Sequence, residues 1–421
     1  MHRQPALGIR AARLDESLLF LLGLFSTWQI VQFMGCAVST WLTVAACGYF
    51  AVTRKPAFRR DYLMLCLLIC YCVSVAVSVF VPIPAAYKKT SVMRFAQWLA
   101  IFVLAGYLRA DEQSDAGFYF LKGLDWSCRI QLLWCFAQFF AYKLIGIDLN
   151  RRIFSELLHM AEQTSQYRDG VLASTGLHWH AANLIPVLTF LFLRHSSLAV
   201  KLACIVAVYF SKSATAMIGI GLCVVFECAL LAKQIALEGR GGMPKKVASA
   251  AALLAAAGVL LIPVVLPKIM ETASYLLARI DQISNPTQGN ESSATHFSYY
   301  KNLPHILSNI SLPEVLFGSG IDTSGYRFTQ FYGQYPDLIW VVESDFVNLI
   351  LSMGVLGCIV HYTFAFTAVR KRMTAESSKK YAWWILLLIP CGIVYNNQFL
   401  WVVLAELVMY TTAPQPALKL R

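Results

Sequence analysis

Charged side chains are scarce: they make up 14% of the 421 residues, against 58% hydrophobic, and the mean hydropathy is +0.58. That deficit excludes a soluble domain built around one apolar core, where about a quarter of residues are charged. No CxxC pair and no Cys/His spacing suited to zinc occurs. Eleven of the twelve cysteines fall within apolar runs, with Cys36 at the tip of a hairpin between two of them. Cys70 and Cys72, two apart in a helix, face different directions, so the cysteines read as small packing residues and redox function has no support. The first apolar run has no small-residue cleavage site and continues into a second, which predicts a retained helix and not a removable signal peptide. Internal repeats and low-complexity tracts are absent.

What is present is a succession of apolar runs of about 17–25 residues separated by polar breaks. Barrel strands would be short and alternating, so these are helices. Spans are expected at 16–33, 36–53, 62–84, 91–108, 126–147, 181–194, 198–211, 214–232, 247–268, 345–367, 381–396 and 398–412. The predicted fold class is all-α: a polytopic integral membrane helical bundle of about 12 transmembrane helices, within a range of roughly 10–12 because 16–53 and 181–211 are crowded. Lys and Arg cluster in alternate loops, at Arg54–Arg60, Arg194–Lys201, Lys233–Lys246 and Arg370–Lys380. This assigns those loops and both termini to the cytoplasm. Much of the formal net charge of +12 is this topological signal, which argues against nucleic acid as a partner. One membrane domain, 1–421, is expected, with two long exterior segments: 148–180, and a large late loop at 269–342.

That late loop carries turns rich in Gly, Asn and Ser (NPTQGNESS, FGSGIDTSG, YGQYPD) mixed with His and aromatics such as Tyr299 and Tyr300, a composition suited to polar, ring-shaped ligands. Cations on the exterior run against the topological trend. Arg168, in QYRDGVLASTGLHWHAANLIP, precedes the sixth span together with His178 and His180, and Lys212 occupies the short turn FSKSATAMIG. Arg279 and Lys301 lie in the late loop. Lys88, Lys89, Lys143 and Lys268 read instead as interfacial residues reaching lipid phosphates. Lys122, Asp125 and Arg129 share a helical face near the cytoplasmic end of the fifth span, where an Asp125–Arg129 pair would offset the cost of burial.

Glu343, Ser344 and Asp345 open the tenth span. Helix N-termini favour acids and a Ser cap, so a structural role is open to them. Two acids exceed that need, and the glycines of the preceding FGSGID would let backbone approach a ligand closely. The order of these features resembles the O-antigen polymerase and O-antigen ligase-like superfamily of bacterial polysaccharide assembly. The carrying residues are Arg168 with Gly170, the SKSATA turn, the late FGSGI, and ESDFVNLILSMGVLG with its acid, long apolar step and Gly-x-x-Gly. Glu343 stands where a ligase has His, which favours polymerase. His296 occupies the Ser/Gly-rich turn in which the family places an Arg, and Lys212 replaces the family's Arg.

The resemblance implies an inverting glycosyltransferase without a metal or other cofactor, working at the periplasmic face of a bacterial inner membrane. Its substrates would be an undecaprenyl-diphosphate-linked oligosaccharide donor and a glycan acceptor, with a chain-length regulator and a flippase as partners beside the bilayer itself. Arg168 and Lys212, then Arg279 and Lys301, would hold the diphosphate. Glu343 would take the proton of the attacking hydroxyl, with Asp345 or His296 orienting it or substituting. His178, His180, Tyr299 and Tyr300 are candidate substrate contacts. A hard divalent cation is the alternative use of Glu343 and Asp345. The rivals are a ligase acting on lipid A core and, from another class, a lipid-linked sugar flippase, for which twelve spans are also typical.

Overall fold

The computed structural model describes residues 5–33, 36–54, 62–109, 116–160, 165–168, 171–238, 291–332, 342, 344–373, 379–389 and 400–411. Helices dominate these residues: α1 (Pro5–Phe25), α2 (Val38–Thr53), α3 (Tyr62–Phe80), α4 (Ala85–Arg109), α5 (Ala116–Ile145), α6 (Ile185–Arg194), α7 (Leu198–Ser211), α8 (Ala214–Glu238), α9 (Glu291–Asn309), α10 (Leu312–Phe317), α11 (Ser324–Tyr332), α12 (Asp345–Met373), α13 (Lys379–Leu388) and α14 (Leu400–Thr411). A π-helical turn, Arg151–Leu157, and a 3-10 turn, Ala181–Leu184, precede α6. The strands form two antiparallel hairpins, β1 (Gln32–Phe33) with β2 (Cys36–Ala37) and β3 (Gln166–Arg168) with β4 (Val171–Ala173).

The all-α expectation is met, and helices overlap the expected apolar segments wherever residues are described; the span expected at 247–268 lies outside them. Among the described residues three helices are long and apolar enough to cross a membrane: Tyr62–Phe80, Ala85–Leu108 and Asp345–Arg370. Several others fall short for a physical reason. At about 1.5 Å per residue, the 10 residues of α6 or the 14 of α7 cover well under the roughly 30 Å of a hydrocarbon core. The long α5 carries Lys122, Asp125 and Arg129 in its first half.

The chain divides into two compact units, one comprising 1–220 and 305–421, the other 221–304. In the first, α1 and α5 cross at glycines. A Cβ on Gly23 would overlap the Phe120 carbonyl, and one on Gly123 would overlap the Phe20 carbonyl, so these positions let two backbones touch. Leu19, Leu22, Phe120 and Leu124 pack fully buried around the crossing. One turn on, the Thr27 and Ser127 hydroxyls lie 2.6 Å apart, and the Gln131 amide donates to the Thr27 carbonyl at 2.9 Å. Polar side chains inside the unit thus find partners between helices, as a low-dielectric interior requires. In the second unit, Tyr299 is buried while Tyr300 and Lys301 are exposed on α9.

Candidate functional site

The two late stretches that carry the family resemblance lie against each other. Residue Gly354 of α12 has φ 72 and ψ 178, which breaks the helix within its third turn. The break releases carbonyls that the FGSGID turn takes up: the Ser319 N–H and hydroxyl each donate to the Leu351 oxygen at 3.0 Å, and the Gly320 N–H donates to the Ser352 oxygen at 3.1 Å. Ser74 on α3 adds a hydroxyl donor to that same Ser352 oxygen. Gly318 and Gly354 make the contact possible, because a Cβ on Gly318 would overlap the Ser352 backbone and one on Gly354 the Leu316 backbone. The expectation that the FGSGID glycines approach a ligand is therefore corrected: Gly318 meets the α12 backbone, and Gly320 packs where a Cβ would strike Ser78.

The entrance to α12 is buried. Val342, Ser344, Asp345 and Asn348 are all sequestered, with Asp345 in the first turn, where the helix dipole favours a carboxylate. Ser324 at the start of α11 fastens this entrance, donating its hydroxyl to Asn348 Oδ1 at 2.7 Å and accepting the Val342 N–H at 3.1 Å. Glu343 itself lies outside the described residues, and both of its neighbours are buried.

Beyond the turn stands an arginine that the charge pattern did not single out. Arg94 Nε of α4 pairs with Asp322 Oδ2 at 3.0 Å, and its Nη1 donates to Gln97 Oε1 at 2.8 Å. Asp322 is buried and has φ 62, a left-handed conformation that Asp tolerates better than most side chains. Arg94 remains one-third exposed, and what it faces is a cavity of about 510 Å³. Gln29, Thr43, Gln97, Trp179 and Trp401 are among its other walls, which come from the segment after α1, from α2, from the middle of α4, from the loop before α6 and from the beginning of α14. An apolar pocket of this size with a few convergent polar groups is the usual form of a small-molecule site. An ionisable side chain near the end of an apolar run was the available signal.

Residues 174–183 contribute Trp179 to the cavity, and amides hold the backbone just before it. Gln131 Oε1 accepts the Leu177 N–H at 2.6 Å, Gln138 Oε1 accepts the Gly176 N–H at 2.8 Å, and Asn150 Nδ2 donates to the Gly176 oxygen at 2.9 Å. The Leu177 oxygen in turn accepts the N–H groups of Gln29 and Ile30. His178, expected as a surface ligand contact, is completely buried, and neither ring nitrogen has a hydrogen-bond partner among the described residues. Burial pushes its pKa down to about 3, so it is a neutral packing residue in this state; His180 is exposed.

The β3–β4 hairpin that carries Arg168 is tied to the end of α7 shortly before Lys212, with Arg168 at the turn end of the hairpin and the tie at its other end. Arg168 pairs with Val171 in the β3–β4 hairpin, and just beyond β4 the Ser174 N–H donates to the Phe210 oxygen at 3.0 Å, two residues before Lys212. Lys212, half-buried with φ 50 and ψ 24, caps α7 in the left-handed conformation more often filled by glycine. Arg279 lies outside the described residues, and His296, Tyr299, Tyr300 and Lys301 lie on α9 in the second unit. Among the described residues no three His, Cys, Asp or Glu side chains gather as metal ligands. No family model and no curated protein matches the chain.

Proposed function

We propose that this protein is a multispanning inner-membrane glycosyltransferase that polymerises oligosaccharide units carried on undecaprenyl diphosphate. In this reading the apolar helices form a membrane bundle in which the shorter ones, such as α6 and α7, do not cross the bilayer by themselves, both termini are cytoplasmic, and the cavity opens at the periplasmic face. The observation that carries it is Arg94: a guanidinium facing a cavity of about 510 Å³ and paired with Asp322 of the turn that docks on α12, the helix that begins two residues after Glu343 in the chain. Part of the lining, at Gln29, Gln32, Cys36 and Trp401, belongs to segment ends that the distribution of Lys and Arg assigns to the exterior.

Chemistry follows from these side chains. The hydroxyl oxygen of the acceptor sugar attacks the anomeric carbon of the donor as the bond from that carbon to the diphosphate oxygen breaks, inverting the centre. Glu343 takes the hydroxyl proton. Arg168 and Lys212, with Arg94 added, neutralise the diphosphate as it leaves with the bonding electrons. Asp345 is buried in the first turn of α12, which suits positioning of the helix entrance more than proton transfer. No metal is required in this scheme, so activity should survive chelation.

Membranes carrying Glu343→Gln should hold normal amounts of protein and lose chain extension; wild-type chain lengths would overturn the assignment of the base. A ligase is the rival within the class, and deletion distinguishes them, since loss of a polymerase leaves single repeats on the acceptor whereas loss of a ligase leaves long unattached chains. The break at Gly354 also favours a second reading, lipid-linked sugar flippase, because transporters bind substrate at interrupted helices. Against it, the Leu351 and Ser352 carbonyls freed by the break are already engaged by Ser319, Gly320 and Ser74, not offered to a ligand.

A further inference from the structure

At the other end of α5 the expected Asp125–Arg129 pair is part of a larger cluster. Arg129 Nε lies 3.0 Å from Asp125 Oδ2, Arg194 Nε lies 3.0 Å from Asp125 Oδ1, and His195 Nε2 lies 2.8 Å from that same oxygen. Arg194 also donates to the Tyr381 hydroxyl and lies over the Tyr381 and Phe190 rings. Two guanidinium charges share one carboxylate, and among the described residues neither arginine pairs with a second one. Among the described residues the two guanidinium charges therefore exceed the one carboxylate they share.

Arg129 is the member with free capacity. Among the described residues its Nη2 has a hydrogen-bond contact with His195 Nε2 alone, at 3.4 Å, and that nitrogen already lies 2.8 Å from Asp125 Oδ1. The guanidinium lies 5.5 Å from the Trp126 ring, its side chain is 41% exposed, and the indole is 48% exposed. Leu133, Phe140 and Leu144 continue the exposed face of α5 as an apolar ridge. At helical spacing Trp126, Arg129, Leu133 and Phe140 lie along one side. A phosphate at Arg129 therefore comes with an apolar helix face along which a hydrocarbon chain can lie, which a soluble anion would not use.

We propose that Arg129, Arg194 and Trp126 form a binding site for the phosphate headgroup of an anionic phospholipid, with an acyl chain along Leu133, Phe140 and Leu144. Such headgroups collect at basic pockets and aromatic residues on the membrane surface. The site is separate from the proposed sugar-transfer chemistry and does not depend on it.

The test is native mass spectrometry of the full-length protein exchanged into micelles containing phosphatidylglycerol or phosphatidylcholine. The wild type should retain phosphatidylglycerol in preference, and Arg129→Gln should weaken that preference about fivefold, the contribution of one surface cation. Equal retention of the two lipids, or an unchanged preference in Arg129→Gln, overturns the proposal. So does thermal stabilisation by inorganic phosphate that matches stabilisation by phosphatidylglycerol, because the ligand is then a soluble anion. A measurement that needs no arginine variant is quenching by brominated lipids. The difference in fluorescence between wild type and Trp126→Phe should be quenched more by brominated phosphatidylglycerol than by brominated phosphatidylcholine, and equal quenching contradicts the site.

Discussion

Replacing Gly354 by Ala tests the joint between α12 and the FGSGID turn, and its size follows from two separable costs. At φ 72 and ψ 178 the backbone sits in a region that is essentially restricted to glycine, so an L side chain there costs on the order of 1–3 kcal/mol. The new Cβ would also overlap the Leu316 carbonyl and the Phe317 nitrogen, which are backbone atoms that cannot rotate away. Such overpacking adds about 1–3 kcal/mol. Together these come to roughly 2–6 kcal/mol, a large share of the about 5–15 kcal/mol by which domains are stable. Thermal unfolding of the detergent-purified protein should therefore begin well below the wild-type temperature. Gly48→Ala is the control, because nothing lies within 4 Å of its Cβ position and an exchange of Gly for Ala inside a helix is stabilising by itself. Gly318→Ala strikes the opposite side of the same contact, so the double variant Gly318→Ala/Gly354→Ala should cost less than the sum of the two. If Gly354→Ala unfolds with the wild type, the backbone contact and the helix break inferred from it are wrong.

Two further predictions concern buried ionisable groups. His178 titrates near 6.5 when unfolded and is pushed down to about 3 by burial, so the native state resists protonation. The stability it contributes is complete above the unfolded value and is lost as pH falls below it, at roughly 1.4 kcal/mol per pH unit. Between pH 6 and pH 4 the slope of stability against pH should be shallower by that amount in His178→Leu, and identical slopes would contradict a neutral buried imidazole. In the late segment, Arg327 pairs with Glu314 in a buried bridge, and burial lowers the guanidinium pKa to about 10. Arg327→Ala leaves the Glu314 carboxylate sequestered without its counter-charge and should destabilise by about 3–5 kcal/mol in a denaturation experiment, whereas a loss under 1 kcal/mol would mean that solvent reaches the pair.

The positions of the helices were legible because apolar runs and breaks in them are local properties. The edges of α2, α6 and α7 fall within a few residues of the spans read from the run boundaries. Asp125 and Arg129 were legible for the same reason, as partners one helical turn apart. Arg194 and His195, some 70 residues distant, join that carboxylate only through tertiary packing, and no spacing announces them. Arg94 was hidden because an Arg inside an apolar run reads as part of the span, while its partner Asp322 lies far along the chain. The glycines of FGSGID were correctly read as points of close approach, but the approaching group is the α12 backbone. His178 looked accessible from its polar neighbourhood, and the Gln131 and Gln138 amides that hold the adjacent Gly176–Leu177 backbone come from a helix some forty residues upstream. Helix count was less legible than helix position, since length and charge decide whether an apolar run alone crosses a bilayer.

Glycosyl transfer itself is tested most directly by reconstituting the purified protein in liposomes with an undecaprenyl-diphosphate-linked repeat unit and reading glycan length and anomeric configuration by mass spectrometry and NMR. The account predicts a ladder of extended chains whose new linkages are inverted relative to the donor, present with wild type and absent with Glu343→Gln. Movement of the lipid-linked sugar across the bilayer without any new glycosidic bond would contradict it.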